Sequence, residues 1–280
     1  MPPAGSLNRT RLYVPARALW GALTAELSRH EAEGKEPQYQ TVGESLQDGY
    51  RFSYLFPAEE SGGTWKVWLP TYRGALGLGW HHEDRHESVV SDRQFRRRFI
   101  STRPGTSIDP TTDAADDGSL RETECIEMRW RKEHGRDAGT VAMVGYVFIR
   151  TTKAKDKYAT GRRRLDDVDT LFIGGDGRYG LGRIRRVSLE MVKSAMIFGV
   201  PATLDSAAPQ IVTGSVFAHA VTDNAEPAMA GALELLGGWD RGSVRRLDQG
   251  SPLWQPGSYS HGAAKWTVEP EGTWRSMAMC

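Results

Sequence analysis

The run LFIGGDGRYGLGRIRR, Leu171 to Arg186, places five glycines within residues 174–182, and three of them fall in the spacing Gly175-x-Gly177-x-x-Gly180. Glycine lets backbone N–H groups approach a ligand closely, and successive bare amides suit an anion. Arg178, Tyr179 and Arg183 stand among these glycines, adding charge and an aromatic face. A dinucleotide fingerprint shares the spacing, but it requires a strand before the loop and a helix after it, so that the pyrophosphate meets a helix N-terminus. The pattern here predicts another order. Leu165, Val168 and Leu171 or Phe172 recur at helical intervals before the loop, and Arg183–Val192 alternates as a strand after it. No Gly-Lys-Ser/Thr occurs, which excludes a Walker loop. Two readings remain on local grounds: a cradle for the phosphates of RNA, with Gly174, Gly175, Gly177, Gly180 and Gly182 supplying the backbone, or a plain glycine-rich turn entering a strand.

A second constellation is His82-Glu83-Asp84-Arg85-His86, literally His-Glu-x-x-His. On a helix its two histidines would share a face and hold zinc, with the glutamate as general base. The three glycines of GALGLGW just upstream oppose a helix, both intervening residues are charged, and no third ligand is evident. A solvated, histidine-rich loop is the expectation, with no metal. No Gly-x-Ser-x-Gly elbow supports serine catalysis. The remaining histidines, such as His30 and His219, stand singly.

The elements that must position these groups are partly readable. Leu19, Leu23 and Leu27 recur every four residues after Pro15, predicting a helix from about Ala16 to about Glu31. YRFSYLFPA and TWKVWLP read as strands around the turn EESGG. The stretch from about residue 70 to 122 shows no sustained periodicity and reads as a long functional loop. LRETECIEMRWR and TVAMVGYVFIRT read as an antiparallel hairpin. The residues after Pro201 read as strands and turns. Residues 1–200 and 201–280 are therefore expected to form a main domain and a smaller, β-rich C-terminal subdomain.

Composition bounds the function classes. Hydrophobic residues make up 39% and charged residues 25% of the 280, which is ordinary for a globular chain. No apolar run approaches the roughly 18 residues of a membrane span, and the first ten residues lack the core of a signal peptide. The expectation is a cytoplasmic protein without membrane contact. Two cysteines give neither a disulfide framework nor a cysteine zinc site. The net charge of +1 is unevenly spread. Arginine-rich runs occur at Arg93–Arg98, at Arg150–Arg164 and at Arg178–Arg186, the footprint of a partner that is a polyanion.

Three segments together resemble the RAMP superfamily of CRISPR-associated proteins. They are YVPARALWGAL (Tyr13 to Leu23), FISTRPGTSIDPTTDAADDGSLRETECIEM (Phe99 to Met128) and IGGDGRYGLGRI (Ile173 to Ile184), in that order. The resemblance implies an α+β fold with a ferredoxin-like (RRM-like) domain, its glycine-rich loop lying between the second helix and the last strand. Only about 15 residues precede the first helix, so the first strand of that unit is short, displaced or supplied from elsewhere. The implied function is that of a non-catalytic, RNA-binding subunit of a class 1 effector ribonucleoprotein complex in antiviral defence. It would bind the 5′ handle of the crRNA and cap the filament of RAMP-type backbone subunits, meeting target RNA only through the guide. A repeated backbone subunit, or a metal-independent ribonuclease that processes precursor crRNA with His30 or a tyrosine, are the alternatives. No cofactor is implied. The expected RNA contacts are the glycine loop with Arg178, Tyr179 and Arg183, together with Arg17, Arg97 and Arg98. The segment 97–122 is expected to project as a thumb, with Arg103, Thr106 and Ile108 at its working end.

Overall fold

The first helix, α1 (Ala16–Glu31), forms where its leucine spacing places it, and Leu19, Leu23 and Leu27 are all buried. Pro15 leads into it, and its carbonyl accepts the N–H groups of Ala18 and Leu19 at 2.9 and 3.2 Å. A second helix, α2 (Tyr39–Gly49), packs on α1 although the sequence reading passed over it. Its buried set is only Val42, Gly43 and Leu46. Gly43 permits the close approach: a Cβ there would sit 2.9 Å from the Trp20 ring, whose Nε1 donates to the Gly43 carbonyl at 3.0 Å.

The protein is described here from a computed structural model covering residues 6–132, 139–150, 165–192, 194–204, 208–222, 227–239, 247–248 and 250–277. Around the helices, the first half supplies β1 (Ser6–Asn8), β2 (Tyr50–Phe52), β3 (Phe56–Ser61), β4 (Thr64–Arg73), β5 (Gly77–His82) and β6 (Arg85–Ser91). The short α3 (Asp92–Arg97) follows. Next come β7 (Ile100–Gly105), β8 (Ile108–Asp109), β9 (Ala114–Ala115), β10 (Arg121–Ile126), β11 (Ala142–Val144), β12 (Val147–Ile149), β13 (Thr170–Phe172) and β14 (Arg183–Arg185). The second half is all strand: β15 (Met196–Ile197), β16 (Val200–Thr203), β17 (Gln210–Ser215), β18 (Ala220–Val221), β19 (Met229–Ala230), β20 (Leu233–Glu234), β21 (Gly238–Trp239), β22 (Leu247–Asp248), β23 (Leu253–Trp254), β24 (Tyr259–Val268) and β25 (Trp274–Met277).

The result is a strand-rich α/β chain. β11-β3-β4-β5-β6 form one sheet, β1-β10-β7 another, and β15 through β25, apart from the β21–β22 pair, a nine-stranded sheet. A single apolar cluster runs through both halves, from Leu19 and Phe56 to Ile211 and Trp266. Gly272 is buttressed against Ala16 and the Phe52 carbonyl, so the C-terminal sheet lies directly on the start of α1.

Four expectations are corrected. The segment 70–122 is not a loop: it carries β5, β6, α3 and β7, and only residues 106–120, with their own small β8–β9 hairpin, project beyond the β7–β10 pair. Its strands are hard to read because Gly77 and Gly79 break the apolar alternation, and Gly79 is needed where a side chain would meet Val89. The hairpin expected between LRETECIEMRWR and TVAMVGYVFIRT survives as one bridge, Arg129↔Thr140. β10 is instead taken by β7, β11 by β3 and β12 by β2. The segment before the glycine loop is not helical up to the loop. Leu165 and Asp166 are helical, the residues just before them lie outside the described residues, and Leu171 pairs with Ile184 across β13 and β14. The strand expected over Arg183–Val192 stops at Arg185. The first strand, by contrast, is short and displaced, as expected: Val14 alone exchanges two hydrogen bonds with Leu55 at 2.9 and 3.0 Å. β1 is displaced to pair parallel with β10.

Candidate nucleic-acid interface

The glycine loop is the tip of a hairpin. β13 and β14 pair from Thr170↔Arg185 to Phe172↔Arg183, and the Ile173 N–H donates to the Gly182 carbonyl at 2.9 Å. Gly182 has φ +73°, and any Cβ there would run into the Ile173 carbonyl oxygen, so this position admits only glycine. A turn of 3₁₀ helix at Gly177–Tyr179 follows Asp176, which is itself left-handed at φ +58°. The N–H groups of Gly174 and Gly175 have no acceptor among the described residues, and both glycines are exposed. With a strand, not a helix, on each side of the loop, the dinucleotide geometry is absent.

The hairpin lies over one face of β10. Along that strand Arg121, Thr123 and Cys125 alternate onto the same side, and their partners on β7 are Gly105, Arg103 and Ser101. Thr123 Oγ1 approaches Asp176 Oδ2 at 3.5 Å. The Tyr179 ring is 56% exposed and has two guanidinium groups near it, Arg121 at 4.8 Å and Arg178 at 5.0 Å from its centroid. The hydrogen bond from Arg121 first, and the charges of Arg121 and Arg178 after it, hold the Tyr179 phenol below its ordinary range. Arg183 is exposed on β14 and has no ion pair among the described residues. Arg121 is the residue that sequence reading missed. It lies 58 positions from Tyr179, and only the pairing of β10 with β7 brings it under the loop.

The thumb residues sit beyond that base. Past Gly105 and Arg121 the chain forms the small β8–β9 hairpin, where Ile108 pairs with Ala115 and is 54% exposed. The turn is held from within by Asp109, whose carboxylate accepts the Thr111 N–H at 2.8 Å and the Thr112 hydroxyl at 3.0 Å. Thr106 is tied to Ser119 by a 2.6 Å hydroxyl contact. Arg103 is exposed on β7, with a loose ion pair to Glu127 at 3.7 Å.

Other expected contacts behave differently. Arg98 is a correction: it is buried, sandwiched between Trp68 at 5.0 Å and Trp130 at 4.7 Å, and bound to Glu59. A guanidinium stacked and paired in this way is a core cation that no RNA phosphate reaches. Arg17 is half-buried on α1 and paired with Glu271 at 3.6 Å. Arg97 is exposed at the end of α3. The basic run at 151–164 lies outside the described residues. His82 and His86 fall on the β5–β6 hairpin, not on a helix, so the i,i+4 zinc geometry is not formed. His86 instead packs at a tilt against the buried His81, with ring centroids 4.9 Å apart.

One further cluster has catalytic residue types. Tyr54 hydroxyl and His219 Nδ1 are 2.7 Å apart, His219 Nε2 and Glu234 Oε2 3.0 Å apart, and Arg11, Tyr13 and Gln255 also bond Glu234. Burial pushes the Glu234 carboxyl up, but the His219 hydrogen bond and the Arg11 charge outweigh it and hold it at about 2. His219 and Tyr54 are fully buried. The cluster joins the N-terminal segment to β20 and offers no substrate access to its histidine.

No family model matches the chain, and no curated protein does. Among solved structures the chain is similar to one in the cryo-EM structure of the type III-B Cmr-beta bound to cognate target RNA and AMPPnP. The two are 12% identical, with a TM-score of 0.49, and the likeness covers 92% of this chain and 80% of that one.

Proposed function

We propose that this chain is a non-catalytic, crRNA-holding subunit of a class 1 CRISPR effector complex, and that it grips the 5′ handle with the Gly174–Gly182 hairpin. The observation that carries the reading is the docking of that hairpin on β10, which brings half-buried Arg121 against exposed Arg178 and Tyr179 beside free backbone amides. Arginine charge and bare amides hold phosphates, while an exposed aromatic ring stacks on a base. The ordered RAMP-like segments in the sequence support the same role: one forms the loop, another forms the β7–β10 base and the thumb above it. Phosphates would lie along Arg178 and Arg183, and one base would stack on the exposed part of the Tyr179 ring. Ile108, exposed at the thumb tip beyond Arg103 and Thr106, would meet a neighbouring RAMP-type backbone subunit or displace a guide base. Target RNA would reach the chain only through the guide, in the cytoplasm.

Charge reversal tests this directly. Arg178→Glu with Arg183→Glu is expected to weaken handle-RNA binding about 30-fold at low salt and to lower the salt slope by about two, since each lost phosphate contact removes about one released counterion. Unchanged affinity and slope in a variant that melts like the parent would refute the assignment of the loop.

A further inference from the structure

A cleft of about 380 Å³ opens where the end of β4 meets the C-terminal sheet, and none of its lining residues belongs to the glycine hairpin or the thumb. One wall carries Thr71, Tyr72 and Arg73, and the other Ser215, Tyr259 and Ser260; no carboxylate lines it. The walls are tied together. The Tyr72 N–H donates to the Gly257 carbonyl at 2.9 Å, and the Tyr72 hydroxyl to Gln255 Oε1 at 3.0 Å. The second wall is shaped by a bulge, since the register of β17 on β24 shifts between Thr213 and Ser215, leaving Ser215 opposite Tyr259. Bulges of this kind re-aim side chains and are frequent beside functional sites.

The polar groups divide into used and unused. Ser260 Oγ is committed to the Gly262 carbonyl at 2.6 Å. Arg73 is steadied by a hydrogen bond from Nη2 to the His86 carbonyl at 3.3 Å, yet it has no carboxylate partner among the described residues. Tyr259 is half-buried with His261 edge-on at 6.1 Å. A guanidinium without an acid, a supported aromatic ring and several hydroxyls ask for a ligand that is both anionic and planar. A cavity of this size lies within the range that holds one small ligand, roughly 300–1,000 Å³.

We infer that this cleft binds one nucleotide unit, its phosphate on Arg73 and its base against Tyr259, as a second nucleotide site separate from the glycine hairpin. The unit belongs either to an RNA strand, which rests on the RNA-holding role above, or to a free nucleotide, which does not. The full chain is titrated with uridine 5′-monophosphate and, separately, irradiated with a single-stranded RNA carrying 4-thiouridine, with crosslinked peptides mapped by mass spectrometry. Crosslinks at Tyr72 or Tyr259 that fall about tenfold in Ser215→Glu, which places a carboxylate beside the phosphate position, are expected for an RNA strand. Saturable binding of the monophosphate, lost in Ser215→Glu and Arg73→Ala, without those crosslinks, identifies a free nucleotide. Neither signal, from protein whose melting temperature matches the parent, overturns the site. RNA that crosslinks at the hairpin but never at the cleft, with no monophosphate binding, removes the cleft alone. A chain that binds no RNA but binds the monophosphate removes the proposed function alone.

Discussion

The Glu234 cluster and the glycine hairpin use the same residue types in opposite ways. Around Glu234, Arg11, Tyr13, His219 and Gln255 converge on one carboxylate, and His219 and Tyr54 are closed off from solvent. At the hairpin, half-buried Arg121 and exposed Arg178 and Tyr179 converge, with Asp176 as a nearby carboxylate that forms no close ion pair with either arginine. An arginine whose charge is already matched by a carboxylate inside the fold stabilises the fold; one that lies at the surface beside an aromatic ring without a close ion pair remains available to an outside anion. Arg98, clamped by two tryptophans and Glu59, belongs to the first kind although its sequence neighbours suggested the second.

The contrast can be broken from either side. The largest expected effect is His219→Ala, which leaves the Tyr54 hydroxyl buried without its partner, takes one hydrogen bond from Glu234 and opens a cavity; a loss of about 3 kcal/mol or more in denaturant unfolding is expected, with RNA affinity per folded molecule unchanged. A large loss of RNA affinity in the folded variant would mean that the two regions are coupled. Gly182→Val comes next. The side chain cannot fit against Ile173, so the hairpin should open locally at a cost of about 2 kcal/mol, read as faster amide exchange at Ile173 together with weakened RNA binding. Smaller still is Arg121→Leu, which removes one exposed cation–π contact of about 0.5–1 kcal/mol; a severalfold rise in the RNA dissociation constant and a Tyr179 phenol titrating closer to its ordinary range are expected.

The pH dependence separates the regions further. The Glu234 carboxyl is held at about 2 in the folded chain, below the roughly 4.3 of an unfolded glutamate. Its contribution is therefore fully present above about pH 4.3 and lost as pH falls towards 2. Glu234→Gln should flatten the acid limb of the stability curve over that window, measured by urea unfolding at stepped pH. An unaltered acid limb would show that Glu234 is not the group responsible.

Local patterns in the sequence reveal α1, the β3–β4 hairpin and the glycine loop, because Leu19, Leu23 and Leu27, the Gly62–Gly63 turn and the clustered glycines each carry their own signal. α2 escapes because Val42 and Leu46 are its only large buried residues, the third contact being a glycine against Trp20. Leu165, Val168 and Leu171 mimic a helix because all three are buried at matching spacing, but Leu171 is buried as a strand residue facing Ile184. The candidate site is legible only as a loop. That Arg121 lies under Tyr179 depends on how β10 pairs, and that Arg98 is inaccessible depends on Trp68 and Trp130, 30 and 32 residues away in opposite directions. Long-range pairing of this kind leaves no periodic trace.

The most direct measurement is to recover the tagged chain with its native partners, crosslink with ultraviolet light, and sequence both the RNA and the attached peptides. Guide RNAs joined through one fixed 5′ handle to the peptide spanning residues 173–186 are expected. Absence of RNA, or crosslinks that avoid this peptide altogether, would contradict the claim that the glycine hairpin holds the guide.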